Sequence, residues 1–379
     1  MLFILGVRSM PVTPRHLWVM TADYPPHIIG GLGVTATHLT RELASLGLRI
    51  TVITTTPRRQ ASINERGCLT VARFPSHYSP REIVRALVAR GVSAPDVVHV
   101  HSLEYLKLLL YCKRVVMMPS IYTCHSVVRK KRKNPAFSPS RQALMLRSVD
   151  HVVVPSAPAR IILIRRYPLC ATKTTVISHG VHSSDNWAGK VSKYRLLYAG
   201  RVVPNKGLEQ LIDAIALLRV KHRRVRLYII GAGSRGYVNQ LKQRAISRRV
   251  NDLVHWLGRY EHRRLLRAYR RFGAVVMPSR RESFGLVALE ALASGVPLVA
   301  SRTGGLRQFV DNDVAWVIER VDGRAIAQAI AAMWQYPDLT RERVEAGRAL
   351  ARNYGWSQAA KMYLQILDSL NSPKQTVGT

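Results

Sequence analysis

Two glutamates carry the strongest chemical signal in the chain. Glu282 and Glu290 stand in the run E-S-F-G-L-V-A-L-E, with seven residues between them. An apolar run, Gly273 to Pro278, precedes them; Ala291 to Gly295, Val296 to Ala300 and Gly304-Gly305 follow. That order predicts strand, loop, helix, strand and Gly-rich turn. Glu282 then sits in the loop beside Phe284-Gly285, near the helix N-terminus. Glu290 lies about two turns down the helix, at ~1.5 Å rise per residue. Two carboxylates so placed can grip two separated hydroxyl-bearing parts of one ligand, and a sugar nucleotide is such a ligand.

Cations and glycines stand where such a ligand needs them. Gly200-Arg201 follows a strand, Lys206-Gly207 opens a helix, and Pro204 lies between. Two cations with free backbone N–H groups make a diphosphate site, each charge-assisted hydrogen bond contributing ~1.5–3 kcal/mol. Alone, Arg201 and Lys206 also read as two solvated basic residues; the glutamates downstream favour the ligand reading. Pro25 to Gly33, with Gly30-Gly31-x-Gly33, follows the first strand, where glycines let backbone approach a phosphate or sugar closely. The bland reading there is a plain strand-to-helix turn. His125, in T-C-H-S, follows the strand Ile121 to Thr123, and a His at a strand's carboxyl end points into the cleft mouth. His99 and His101, in V-H-V-H-S, sit similarly, but a lone His is more often structural, and His125 is the preferred candidate of the three.

Two motifs point elsewhere and fail. Gly231-Ala232-Gly233-Ser234-Arg235-Gly236 fits G-x-G-x-x-G after a strand. A dinucleotide fingerprint needs its acid at the far end of the next strand, whereas Asp252 precedes the strand Leu253 to Leu257, so NAD is disfavoured. Asp311-Asn312-Asp313 resembles a metal-binding D-x-D, but turn chemistry in a surface loop explains it.

Composition narrows the class. At 379 residues and 47% hydrophobic, the chain is long and apolar enough for two buried cores. No apolar run approaches the ~18 residues of a membrane span. The start, Met1 to Val7, is apolar but lacks a basic n-region and a cleavage site; it reads as a ragged leader, with Met10 or Met20 as alternative starts. Cys68, Cys112, Cys124 and Cys170 form no CxxC pair, which fits a reduced cytoplasmic protein without a disulfide framework or zinc site. The net charge of +36 draws anions: nucleotides, nucleic acid or acidic lipid. The densest run, Arg129 to Lys133, reads as a solvated loop or as a peripheral contact with anionic lipid at the inner membrane surface, worth ~1 kcal/mol per basic residue. No regular aromatic interleaving accompanies it, so a nucleic-acid groove has little support.

Strands and helices alternate twice along the chain. Strands are expected at Leu17 to Thr21, Arg49 to Thr54, Val97 to Val100, Ser120 to Thr123 and His151 to Val154, with a helix over Val34 to Leu46. The pattern restarts after a polar stretch. Strands are expected at Arg195 to Ala199, Val225 to Ile230, Leu253 to Leu257, Ala274 to Met277, Pro297 to Ala300 and Ala315 to Ile318. The fold class is α/β: two Rossmann-like, doubly wound parallel sheets facing across a cleft. The expected division is residues 1–183, a linker at 184–193, a second domain at 194–354, and a C-terminal helix in 355–379 that crosses back onto the first domain.

Five motifs in order carry a resemblance: P-P-H-I-I-G-G-L-G; D-V-V-H-V-H; Y-T-C-H-S; A-G-R-V-V-P-N-K-G-L-E; and P-S-R-R-E-S-F-G-L-V-A-L-E-A-L-A-S-G-V-P-L-V-A-S-R-T-G-G. From Leu17 to the last helix the chain resembles the GT-B-fold retaining glycosyltransferases of family 4. That resemblance implies a nucleotide-diphosphate sugar as donor and co-substrate, with no other cofactor and no metal. It implies Glu282 on the donor sugar hydroxyls, Glu290 on the ribose, Arg201 and Lys206 on the diphosphate, and Phe284 and Gly285 offering backbone N–H groups. It places His125 facing the reacting sugar carbon, and Gly31 against the donor phosphate or the acceptor. It further implies leaving-group stabilisation at the diphosphate and attack by the acceptor hydroxyl from the phosphate's own face. The acceptor stays open among lipid, cell-wall precursor, polysaccharide and small metabolite. The chain departs from the family pattern at Ser178-His179-Gly180-Val181-His182, where Pro-Asn-Gly-Val-Asp is common, at Gln308, where Glu is common, and in the loop after it, which lacks the usual Gly before Ala315. A competing reading from another class is a non-catalytic anion-binding protein that keeps the fold.

Overall fold

The computed structural model describes residues 16–28, 30–128, 137–182 and 191–371. The basic run Arg129 to Lys133, the Met1 to Val7 start and residues 184–190 of the expected linker lie outside the described residues. The first half runs β1 (His16–Met20), α1 (Gly31–Ser45), β2 (Arg49–Thr56), β3 (Ser62–Arg66), β4 (Leu69–Pro75), α2 (Pro80–Ala89), β5 (Val97–Val100), α3 (Leu106–Val115), β6 (Ser120–Thr123), α4 (Pro139–Ser148), β7 (His151–Val154), α5 (Ala157–Arg166) and β8 (Thr174–Val176). The second runs β9 (Arg195–Ala199), α6 (Leu208–Lys221), β10 (Arg226–Ile230), α7 (Arg235–Ser247), β11 (Val254–Gly258), α8 (His262–Tyr269), β12 (Ala274–Met277), α9 (Leu286–Ala293), β13 (Leu298–Ser301), β14 (Trp316–Ile318), α10 (Gly323–Gln335), α11 (Pro337–Ala351) and α12 (Trp356–Asn371).

These strands form an eight-stranded sheet, ordered β3-β4-β2-β1-β5-β6-β7-β8, and a six-stranded sheet, ordered β11-β10-β9-β12-β13-β14. The pairing is parallel except for β3 with β4. Both faces of each sheet are covered, so the strands read as continuous apolar runs. In β1, Leu17 and Val19 face α1 and α12, while Trp18 and Met20 face the opposite core. Each fully buried Leu, Val or Ile contributes roughly 1.5–3 kcal/mol.

Three local expectations change. The first helix begins at Gly31, not Val34: Gly30 is its N-cap, and Val34 N–H already donates to Gly30 O at 3.3 Å. The Gly-rich turn is therefore the helix's first turn. A hairpin, β3–β4, extends the edge of the first sheet antiparallel; Gly67 supplies its turn with φ +57°. The purely parallel sheet expected from the βα alternation acquires this hairpin because the two residues between β3 and β4, Gly67 and Cys68, are too few for a crossover helix. A short β8 adds the other edge.

Helix α12 returns to the first sheet. Ala359, Ala360, Tyr363, Ile366 and Leu367 pack with Leu17, Ile50, Ile121 and Val153 in one core. Tyr363 is 3% exposed and its hydroxyl bonds Thr123 Oγ1 at 2.8 Å. Tyr363→Ala is expected to lower stability by about 3 kcal/mol or more, the usual loss for a buried aromatic. Met362→Ala, one position along on the exposed side, is expected to stay within about 0.5 kcal/mol. Urea denaturation of both variants checks this.

Candidate functional site

The site lies where the carboxyl ends of β9 and β12 meet the first turn of α1. Chain spacing alone would leave Lys206 and Glu282 far apart. Two glycines close the gap. Gly207 adopts φ +72°, and a Cβ there would overlap the Pro278 carbonyl oxygen. The loop holding Lys206 therefore lies directly on the end of β12, and Arg280 N–H fastens it by donating to Asn205 O at 2.9 Å. Gly304 adopts φ +53° and packs on the Glu282 backbone, while Gly305 N–H donates to Glu282 O at 2.9 Å. A residue with a side chain fits neither position.

With the backbone so clamped, the Lys206 ammonium ion-pairs with Glu282 Oε1, which also accepts from Ser279 Oγ at 3.0 Å. The two side chains are only 14% and 11% exposed. Such a pair holds because each charge neutralises the other; removing one partner strands the other. Arg201 lies beside it at the end of β9. Its side chain is exposed, and its Cδ would be 4.0 Å from a Cβ on Gly30. A Cβ on Gly31 would lie 4.0 Å from Leu286 Cδ2 at the start of α9. The N-terminal ends of α1 and α9 thus converge on Arg201, Lys206 and Glu282, and both ends present positive dipole. Phe284 is 3% exposed and packs on Phe309, with ring centroids 5.3 Å apart; Gly285 caps α9.

Glu290 is 3% exposed. His262 Nε2 lies 2.6 Å from its Oε1, and the Tyr269 hydroxyl donates to its Oε2 at 2.8 Å. Sequence reading missed both partners. They stand seven apart on α8, one helical face, but nothing local shows that this face meets α9.

The histidines form a column. His99 and His101 rings lie 4.2 Å apart, His101 and His125 5.3 Å, His125 and His179 5.6 Å, and His179 and Phe284 4.9 Å. His101 Nδ1 and His125 Nε2 share a 3.0 Å hydrogen bond. His99 belongs to the core, with Nε2 on Thr123 Oγ1 at 2.7 Å. Burial holds His99 and His125 down to about 3, and pushes His101 and His179 well below the usual histidine range. The column is neutral at physiological pH.

The family departures lie on the seam between the sheets. Gln308 Nε2 donates to Ser178 Oγ at 2.8 Å, and its Oε1 accepts from Ala157 N–H at 3.4 Å. Ser156 caps α5 by accepting from Ala159 N–H, and donates to Ser283 O at 2.7 Å. His182 Nε2 meets His38 Nδ1 at 2.9 Å, and His38 stacks on Trp356 at 5.2 Å.

The two rejected motifs have structural explanations. Cβ atoms on Gly231 and Gly233 would overlap the Gly200 and Val202 carbonyl oxygens, so those glycines serve backbone packing. Asp313 N–H donates to Asp311 Oδ1 at 3.0 Å, a turn closed on itself. Among the described residues no group of three or more His, Cys, Asp or Glu is arranged to hold a metal ion.

The buried histidines make stability depend on pH. The unfolded chain takes up protons near pH 6.5, while folded His99 and His125 resist them until about 3. The folded state thus binds fewer protons across that window, and its stability is full above pH 6.5 and lost as pH falls. Each such histidine contributes a slope of up to about 1.4 kcal/mol per pH unit. Urea midpoints are expected to fall steadily from pH 7 to pH 5 and to stay flat from pH 7 to pH 8.

Comparison with known proteins agrees with this arrangement. The family model described as Glycosyltransferase Family 4 matches residues 29–185, and that described as Glycosyl transferases group 1 matches residues 184–350. A glycogen synthase from Mycobacterium tuberculosis is 28% identical, over 91% of this chain and 92% of its own. A D-inositol 3-phosphate glycosyltransferase from Xylanimonas cellulosilytica is 29% identical, over 89% and 91%. Among solved structures, sucrose-phosphate synthase from Thermosynechococcus elongatus superimposes with a TM-score of 0.78 at 20% identity, covering 94% of this chain and 99% of that one. Anabaena HepE in complex with UDP and glucose gives 0.75 at 17% identity, covering 95% and 100%; at these identities the likeness shows the fold. With two adjoining family models spanning residues 29–350 and both sheets in place, the chain belongs to the GT-B glycosyltransferases of family 4.

Proposed function

We propose that the protein transfers a hexosyl group from a nucleotide-diphosphate sugar to an acceptor hydroxyl, with retention of anomeric configuration and without a metal ion. The observation that carries the reading is the Lys206–Glu282 pair, held at the convergence of two helix N-termini beside Arg201. A bound diphosphate takes the Lys206 ammonium, and the freed Glu282 carboxylate accepts from the sugar hydroxyls. Arg201, Lys206 and the Phe284 and Gly285 N–H groups face the charge that builds on the diphosphate as the anomeric C–O bond breaks. Glu290 has lone pairs left after His262 and Tyr269 and accepts from the ribose. Gly31 lets the α1 backbone approach the donor phosphate. The acceptor oxygen attacks from the phosphate's own face, and its proton passes to a phosphate oxygen. The HepE and starch synthase IV structures, in complex with UDP and with ADP respectively, are consistent with a nucleotide in this cleft.

Glu282→Gln and Lys206→Ala are expected to lower transfer about 10²–10³-fold, the usual loss when one group facing a developing charge is removed. Glu282→Gln keeps the shape, and circular dichroism with a thermal melt separates lost chemistry from lost fold. The donor itself is found by a thermal-shift screen of UDP-, GDP-, ADP- and TDP-sugars, since binding raises Tm by mass action. Wild-type rates in both variants, or no Tm rise with any donor, would sink the proposal.

No helix among the described residues is long and apolar enough to cross a membrane. The net charge of +36 supports contact with an anionic surface. Vesicles rich in phosphatidylserine are expected to float the protein at low salt and release it at high salt.

A further inference from the structure

His125 and His101 share one hydrogen bond between two ring nitrogens, so one ring donates and the other accepts. The remaining nitrogens decide which. His101 is 2% exposed, and its Nε2 is buried without a protein partner. If His125 Nε2–H donated, His101 Nδ1 would be bare, and neutral His101 would carry its proton on Nε2. That places an N–H donor in the core with no acceptor. In the opposite arrangement His101 Nδ1–H donates, and only a bare nitrogen is left there. An orphaned buried N–H is the rarer and costlier of the two. A doubly protonated ring is ruled out by the surroundings. Among the described residues the titratable groups facing the pair are His99, His179 and each other, all of one potential sign, and burial opposes a charge on either ring. Among the described residues His125 Nδ1 has no hydrogen-bond partner and is not among the buried orphans, while the ring itself is half-buried at the cleft.

We infer that His101 is a positioning residue: its Nδ1–H donates to His125 Nε2 and fixes His125 as the neutral tautomer protonated at Nδ1. His125 then offers the cleft a hydrogen-bond donor and no lone pair. It can orient or polarise a ligand oxygen, but it cannot take the acceptor's proton. That second step rests on the transferase reading. It fits the transfer of that proton to the departing phosphate, because the nearest imidazole cannot serve as the base.

The tautomer is read directly from ¹⁵N-histidine-labelled protein without ligand, using two-bond ¹⁵N–¹H correlations. His125 signals are identified by their loss in His125→Asn. Wild type is expected to show His125 protonated at Nδ1 and bare at Nε2 from pH 5.5 to 8. His101→Asn keeps a donor near the Nδ1 position and is expected to preserve this pattern. His101→Leu removes the donor, and His125 is expected to revert toward the Nε2–H form. With a donor from the Tm screen, His101→Leu is expected to lower kcat about tenfold with the donor KM within twofold, and His101→Asn to recover most of it. Wild-type His125 protonated at Nε2 overturns the inference, as does an Nδ1–H signal unchanged in His101→Leu. Neither spectrum depends on activity, so failure of the transferase reading would leave this test intact.

Discussion

The Lys206–Glu282 pair is the constraint around which the second sheet's loops are built. A carboxylate in a nearly dry cleft is stable only if a cation stands against it. Lys206 reaches it because Gly207 lets one loop lie on the end of β12, and Gly304-Gly305 holds the other loop from below. Under the proposed function, a multiply charged ligand beside Arg201 would offer Lys206 another anion, and its hydroxyls would offer Glu282 new donors. A site that stores its charges as an internal pair stays folded when empty, which isolated charges there would not allow.

The seam between the sheets follows a different rule. It is sealed by neutral polar groups: Ser156 to Ser283 O, Gln308 to Ser178, His179 against Phe284 and His182 on His38. In a chain with 58 basic and 22 acidic residues, fixed cations on both faces would repel. Histidines held neutral by burial give polar contact without that penalty. Ser156 also ties the seam to the site, since the carbonyl it holds lies next to Glu282 and Phe284.

Much of this was legible in the sequence. The strand–loop–helix order around Glu282 and Glu290, the turn glycines and the helix opened by Lys206 follow from local periodicity and turn chemistry, and α12 falls inside the 355–379 segment expected to carry it. Local signals also underlay two misses. Gly67 marked the β3–β4 hairpin, and Gly30 as N-cap marked the earlier start of α1. Contacts between elements were not legible. Lys206 and Glu282 are 76 positions apart, and periodicity says which face of an element is apolar, not which neighbour that face meets. His262 and Tyr269 on Glu290 were invisible for the same reason. The histidines were readable one at a time, and only the packing of β5, β6 and the segment after β8 makes them a column.

The departures from the family pattern gain meaning from that packing. Ser178, His179 and His182 share one short segment far in sequence from Gln308, yet all lie on one seam. Gln308 uses both ends of its amide: the oxygen accepts from Ala157 N–H at the start of α5, and the nitrogen donates to Ser178 Oγ. A glutamate there could make the first contact but would have to receive, not give, the second. It would also place a bare charge beside the uncharged Ser178. Within this chain the glutamine suits the serine, and the histidines that replace the common Asn and Asp suit a neutral interface. These substitutions therefore bear on how the two sheets meet, and they leave Glu282 in its loop and Glu290 on α9 untouched.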